Sequence, residues 1–223
     1  MKRKHHHIIT IFIIVLTFPF LVLPTFSQEL KENSKLDKQV EKFLESHKHQ
    51  WRDMNVPVSD GKLLYNIIIK NKYTKALEIG TSTGHSAIWI AWALSKTGGK
   101  LTTIEIDERR YKEALTNFKK AGLAEYIDAR LADAHKLVKE LKGPFDFVFS
   151  DADKYWYKQY FLDACPKLEI GGCFTAHNIR ERGKWSRGGT GEFYNHIKNL
   201  SNYKTTLDLS GAGLSISYKK SDK

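Results

Sequence analysis

Cysteine is nearly absent from this 223-residue chain, which carries only Cys165 and Cys173. Two thiols cannot staple a small disulfide scaffold or build a zinc site from thiolates alone. Neither stands near the N-terminus, which disfavours a bacterial lipoprotein. Five prolines and 15 glycines exclude collagen-like and low-complexity chains. No internal repeat is visible, and no uninterrupted apolar run reaches the roughly 20 residues that span a bilayer comfortably. The hydrophobic content, 41%, supports one packed domain and rules out a wholly disordered chain. The net charge of +11 would admit a nucleic-acid binder. No recognised nucleic-acid motif occurs, however, and the aromatic residues sit mostly within apolar segments. The excess therefore reads as a solvated basic surface with no nucleic-acid partner.

The first 27 residues separate from the rest. Lys2, Arg3 and Lys4 precede three histidines, read as polar filler, and the 16-residue apolar run Ile8–Leu23, interrupted by Pro19. Thr25 and Ser27 then occupy the −3 and −1 positions of a cleavage before Gln28. This is the layout of a secretory signal peptide, predicting an exported (periplasmic or secreted) domain. An uncleaved anchor through residues 8–23 is the alternative, and without it no stable membrane contact is expected; either way the domain lies on the non-cytoplasmic side. Removing residues 1–27 takes away three positive charges and leaves +8. The expected division is 1–27 leader, 28–55 helical extension and 56–223 main domain.

Residues 28–50 place Leu36, Val40, Phe43 and Leu44 at weakly helical spacing, a turn follows at Asn55–Pro57, and a second helix is expected from Ser59 as N-cap. Strand-length apolar runs then occur at 75–79, 101–106, 127–131, 145–150 and 172–176, alternating with helical segments near 84–96, 108–121, 133–141 and 155–165. Residues 205–210 and 213–219 flank Gly211 and Ala212 as an antiparallel hairpin. The fold class is α/β: a doubly wound, Rossmann-like, mostly parallel seven-stranded sheet with a C-terminal antiparallel hairpin and helices on both faces. In such sheets ligands bind beyond the carboxyl ends of the strands.

After the first strand, Gly80 and Gly84 in LEIGTSTGHS permit a tight turn and close backbone approach by a ligand. Their G-x-x-x-G spacing is neither the dinucleotide fingerprint nor a phosphate loop. Glu78 before the turn disfavours a pyrophosphate and suits a cationic or amine-bearing ligand. Glu105, 25 residues beyond Gly80, stands where an acid accepts ribose hydroxyls, while Asp107 fits helix capping better. Asp133 stands near an adenine amino group or caps the next helix. Turn and Glu105 together point to an adenosine-type ligand. The fourth strand, FDFVFSDADKYWY, delivers Asp151 and Asp153 with Lys154 beside them, two carboxylates for a hard cation and an amine for proton work. The fifth delivers His177 and Asn178 to the same edge.

These residues resemble the class I S-adenosylmethionine-dependent methyltransferases, and within them the cation-dependent O-methyltransferases of catechols and caffeoyl-coenzyme A, from about Val56 to Lys219. The resemblance rests on LEIGTSTGHS, TIEID, FVFSDADKYWY and the GG followed by HN at the fifth strand. It implies that Glu78, Gly80 and Ser86 help hold the methionine portion of S-adenosylmethionine, with Glu105 on the ribose. Thr81, Ser82, Gly84, Asp133 and Asp151 complete the candidate cofactor-binding set. It also implies a divalent cation (Mg, Mn or Ca) on Asp151 and Asn178, and Lys154 at the position of the proposed base. One residue departs from the pattern: the family usually has Asp-Asn where this chain has His177-Asn178. Imidazole is a poor ligand for Mg²⁺ or Ca²⁺ and a good one for Mn²⁺, Zn²⁺ or Fe²⁺. Either His177 is a metal ligand with altered preference or the metal is absent and His177 serves as a base.

The expected activity is O-methyl transfer to a small hydroxylated acceptor of phenolic or catechol type, metal-assisted or metal-independent with His177 or Lys154 as base. A non-catalytic adenosyl-ligand binder is the reading from another class, motivated by the export signal, since the cofactor is made in the cytoplasm. Arg180–Gly191, with Trp185, is expected to be a mobile loop over the acceptor site, its arginines either favouring anionic acceptors or simply solvated. Cys165 and Cys173 are expected as semi-buried free thiols. A homodimer stays open.

Overall fold

The computed structural model describes residues 30–51, 53–180 and 188–222. The predicted leader and most of the Arg180–Gly191 segment lie outside them. The described chain runs α1 (Ser34–Ser46), α2 (Val58–Asn71), β1 (Lys75–Ile79), α3 (His85–Thr97), β2 (Lys100–Glu105), α4 (Glu108–Ala121), β3 (Ile127–Leu131), α5 (Ala134–Glu140), β4 (Phe145–Ser150), α6 (Tyr157–Ala164), β5 (Leu168–His177), α7 (Gly188–Ile197), β6 (Tyr203–Asp208) and β7 (Leu214–Lys219). The seven strands form one sheet in the order β3-β2-β1-β4-β5-β7-β6. β1 to β5 pair in parallel, and β7 runs antiparallel to both β5 and β6. This is the predicted architecture, with the strand order reversing between β1 and β4.

Alternation along the strands divides the core in two. Ala76, Phe147 and Phe149 face a layer that includes Leu64, Ile68 and Ile88 of α2 and α3, and Phe118 of α4. Leu77, Ile79, Val148 and Phe174 face the opposite layer, with Tyr157 and Phe161 of α6 and Phe193 of α7. Burying an apolar side chain of this size contributes about 1.5–3 kcal/mol, so each layer is a substantial share of the driving force. The expected α1 stripe of Leu36, Val40 and Phe43 is buried in the first layer.

Local chemistry sets most boundaries. Asn33, Asp107 and Asp133 cap α1, α4 and α5 by accepting backbone N–H groups of Leu36, Arg110 and His135. At α2, Pro57 holds the N-cap position without a side-chain hydrogen bond. Ser59 therefore lies inside the first turn rather than at the cap. The fifth strand begins at Leu168, earlier than residue 172, and crosses an irregularity opposite Phe145–Phe147. Gly171, at φ +84°, permits that detour, and its two glycines read in sequence as a strand start. The C-terminal part of the expected loop over 180–191 is instead the start of α7. Gly189 is there for close approach: a Cβ would lie 2.0 Å from the Lys154 carbonyl oxygen. Both cysteines are free thiols, Cys173 buried and Cys165 partly so.

Candidate active site

Five strand ends open onto one crevice of about 770 Å³, a volume suited to a cofactor-sized ligand. Gly80 and Ser82 follow β1; Glu105 and Ile106 lie at the end of β2; Asp133 follows β3; Asp151 and Lys154 follow β4; His177 and Asn178 end β5. The crevice sits at the β1/β4 reversal. Asp151 N–H donates to Ile79 O at 2.8 Å, and a Cβ on Gly80 would meet Asp151 O at 2.6 Å. Gly80 also has φ +98°, so both its geometry and its space call for glycine.

Glu105 is buried and organises the floor. Its carboxylate accepts from Ser82 N at 2.7 Å, Ile106 N at 3.0 Å and Asp107 N at 2.9 Å, tying the glycine turn to the β2 end. Asp133 lines the crevice while also capping α5 at His135 N, 2.9 Å. The two explanations offered for Asp133 hold together. Glu78, Thr81, Gly84 and Ser86 are buried within and behind the turn, off the cavity wall. Glu78 accepts from Thr103 Oγ1 at 2.5 Å, and burial pushes its pKa up to about 8 against the pull of Ser86 and Thr103. Its Oε1 has no hydrogen-bond partner among the described residues.

At the other end, four charged side chains alternate in sign. His177 Nε2 stands 2.8 Å from Asp60 Oδ2, and His177 Nδ1 stands 3.0 Å from Asp151 Oδ2. Lys154 Nζ donates to Asp151 Oδ1 and, at 2.8 Å, to Tyr157 Oη; Tyr157 in turn donates to Asp151 Oδ1 at 3.3 Å. Burial opposes charge on Asp151, but His177 and Lys154 hold its pKa below the ordinary carboxylate value. Burial likewise opposes charge on Asp60, while His177 and the Ala212 N–H lower its pKa. With ionised carboxylates at both ring nitrogens, His177 donates from both. Burial disfavours its charge, yet Asp151 and Asp60 raise its pKa to about 9.

That geometry decides how well a divalent cation fits. A ring nitrogen that donates a hydrogen has no lone pair for a metal. Both Asp151 oxygens are already engaged, and among the described residues no group of three or more His, Cys, Asp or Glu is arranged to hold an ion. Asp151, His177 and Asn178 are brought together as expected, but the set does not fit a resident divalent ion.

Sequence reasoning missed Asp60 and Tyr157. Asp60 lies 117 residues from His177, in the first turn of α2, where any acid is explained by the helix dipole. Tyr157 reads as an ordinary core aromatic of α6. Its only distinguishing signal is its position three residues after Lys154.

Fold and crevice together place Glu105, Asp133 and a charged cluster at the reversal of a doubly wound sheet, where sheets of this kind bind ligands. The chain belongs to the O-methyltransferase family, whose model matches residues 27–208. It is 36% identical over 135 residues to the catechol O-methyltransferase of Niastella koreensis, covering 59% of this chain and 61% of that enzyme. It is 34% identical over 137 residues to caffeoyl-CoA O-methyltransferase 1 of Eucalyptus globulus, covering 59% of this chain and 55% of that enzyme. These matches thus span under two thirds of the relatives' own length. Among solved structures, the O-methyltransferase from Bacillus cereus in complex with SAH superposes with a TM-score of 0.69 at 25% identity, covering 85% of this chain and 92% of that one.

Proposed function

We propose that this chain transfers the methyl group of S-adenosylmethionine to a hydroxyl of a small phenolic, catechol-like acceptor. The cofactor reading rests on the donor set. Glu105, Asp133 and Asp153 line the crevice together with Arg110 and the Asp151–Lys154 pair, so carboxylates stand where a ribose and an adenine amino group would be met. The relatives act on catechol and caffeoyl-CoA, and the Bacillus cereus neighbour holds SAH. Glu105 is assigned to the ribose, Asp133 to the adenine end, and Gly80 and Ser82 to the close backbone approach. Glu78, Thr81, Gly84 and Ser86 support the turn from behind.

S-adenosylmethionine supplies, when bound, a methyl group already made electrophilic by its sulfonium. The chain's task is to present an acceptor oxygen as an anion in line with that methyl. Lys154 is the observation that carries this. Its ammonium has three hydrogens; Asp151 takes one and Tyr157 another, which leaves one for an acceptor oxygen in the crevice. A phenolic hydroxyl ionises near pH 10, and a fixed ammonium against its oxygen lowers that value by favouring the phenolate. Asp151 and Tyr157 hold the ammonium in place, and His177, charged and bonded to Asp151, keeps that carboxylate from turning toward the acceptor.

Lys154→Met is expected to lower kcat for S-adenosylhomocysteine formation with catechol by about 10²–10⁴ while leaving cofactor affinity close to that of the wild type. Wild-type kcat in that variant overturns the assignment. The leader-like residues 1–27 support an exported enzyme, which fractionation of expressing cells tests.

A further inference from the structure

Four charges stand in a row from the protein interior to the crevice: Asp60, His177, Asp151 and Lys154. Their side chains are 1%, 5%, 10% and 27% exposed, so the row emerges gradually into the site. His177 already holds one oxygen of Asp60 and one of Asp151, and Lys154 and Tyr157 hold the other Asp151 oxygen, so a divalent ion would have to displace these partners inside a buried setting. Nor can the row rearrange easily to admit an ion. Asp60 Oδ2 also accepts the Ala212 N–H at 3.0 Å, and Gly211 lies so close that a Cβ there would be 1.6 Å from Asp60 Oδ1. The β6–β7 turn thus pins Asp60, Asp60 pins one edge of His177, and Asp151 pins the other.

We propose that the Asp60–His177–Asp151 bridge occupies the place of the divalent cation implied by the family resemblance, so that this protein works without a metal and Lys154 is the cation that meets the acceptor oxygen. The inference rests on the methyltransferase reading for its role in catalysis, though not for the metal-free state itself. Asp60 is a positioning residue here: it touches no substrate and acts through His177. A single residue type explains the change. A carboxylate at position 177 would face Asp60 and Asp151 as a third negative group and would draw a hard cation between them. The imidazole already at that position instead donates to both.

The test uses the full chain after exhaustive dialysis against EDTA. Mn²⁺ titration followed by electron paramagnetic resonance is expected to show no stoichiometric uptake by the wild type, and S-adenosylhomocysteine formation from catechol is expected to be unchanged by EDTA or by added Mg²⁺ or Mn²⁺. His177→Asp is expected to take up one Mn²⁺ and to lose about 10–100-fold of its activity in EDTA, restored by the metal. One-to-one Mn²⁺ uptake by the wild type, or EDTA inhibition reversed by metal, overturns the proposal. Failure of His177→Asp to fold, read by circular dichroism, leaves the wild-type titration to decide. A wild type that methylates no acceptor refutes the methyltransferase reading, while the Mn²⁺ titration still settles the state of the bridge.

Discussion

His85 offers a clean measurement of how the turn beneath the crevice is stabilised. Its ring is 1% exposed and stacks on Trp51, with centroids 4.4 Å apart and planes 17° from parallel. Trp89 Nε1–H donates to His85 Nε2 at 3.0 Å, so Nε2 is an acceptor and the hydrogen sits on Nδ1, donating to Val56 O at 2.9 Å. A second proton would have to go on Nε2, facing the Trp89 N–H. Burial accordingly lowers the His85 pKa to about 4, with the Val56 hydrogen bond pulling the other way. In the unfolded chain the same ring titrates near pH 6.5. Between those values the unfolded state holds a proton that the folded state refuses, so stability present above pH 6.5 falls as pH falls toward 4. At roughly 1.4 kcal/mol for each pH interval, the loss is about 2 kcal/mol by pH 5 and about 3 kcal/mol by pH 4. His85→Gln keeps an acceptor for Trp89 and a donor for Val56 but cannot titrate. It is expected to be about 1 kcal/mol less stable than wild type at pH 7, through lost stacking, and equal or more stable by pH 5. Urea unfolding of both proteins at pH 7, 6, 5 and 4 measures the difference and cancels the titration of every other group. Parallel loss of stability in the two proteins across that range refutes the account of His85.

Three further substitutions probe the site and its supports. Glu105→Gln removes one of the two acceptor oxygens that hold the Ser82, Ile106 and Asp107 N–H groups, and is expected to cost about 1–3 kcal/mol in urea unfolding and to weaken S-adenosylmethionine binding in calorimetric titration. Gly189→Ala puts a methyl 2.0 Å from the Lys154 carbonyl and is expected to cost about 1–3 kcal/mol, with kcat falling because the strain lands on the Lys154 backbone; thermal melts and initial rates separate the two effects. Gly211→Ala drives a methyl against Asp60 Oδ1 and is expected to lower the urea midpoint by the equivalent of about 2–3 kcal/mol, since the Ala212 hydrogen bond to Asp60 is lost with the displaced turn.

The sheet was legible because its central parallel strands β1 and β4 are buried on both faces and so appear as short apolar runs, as FDFVFS does for β4, while the edge strand β3 is partly exposed. Strand-end residues followed directly, since the carboxyl end of each run marks where a ligand can bind; Gly80, Glu105, Asp133, Asp151, Lys154, His177 and Asn178 all reach the one crevice. What sequence could not convey is pairing across long separations. Asp60 gave no signal in the sequence because its partner His177 lies at the end of β5, 117 residues away, and Ala212 reaches it across 152 residues. Glycine misled in one place. Gly188, Gly189 and Gly191 suggested mobility in a loop, whereas α7 needs a glycine to lie against the Lys154–Tyr155 backbone. The same residue type serves freedom and close contact alike, and only the neighbours distinguish them.

The C-terminal hairpin has more than an architectural role. Adding β6 and β7 to the parallel sheet moves the open edge away from β5, and the turn between them returns over the N-terminal turn of α2. There Ala212 donates to Asp60 while His177, at the end of β5, donates from the other side. Three elements distant in sequence thus converge on one carboxylate that is 1% exposed. Losing His177 leaves Asp60 with the Ala212 N–H alone, and losing Asp60 leaves His177 with Asp151 alone, so either loss strips a buried charge of a charged partner. His177 is therefore held by more than its own strand: α2 supplies Asp60 and the hairpin fixes that carboxylate in place.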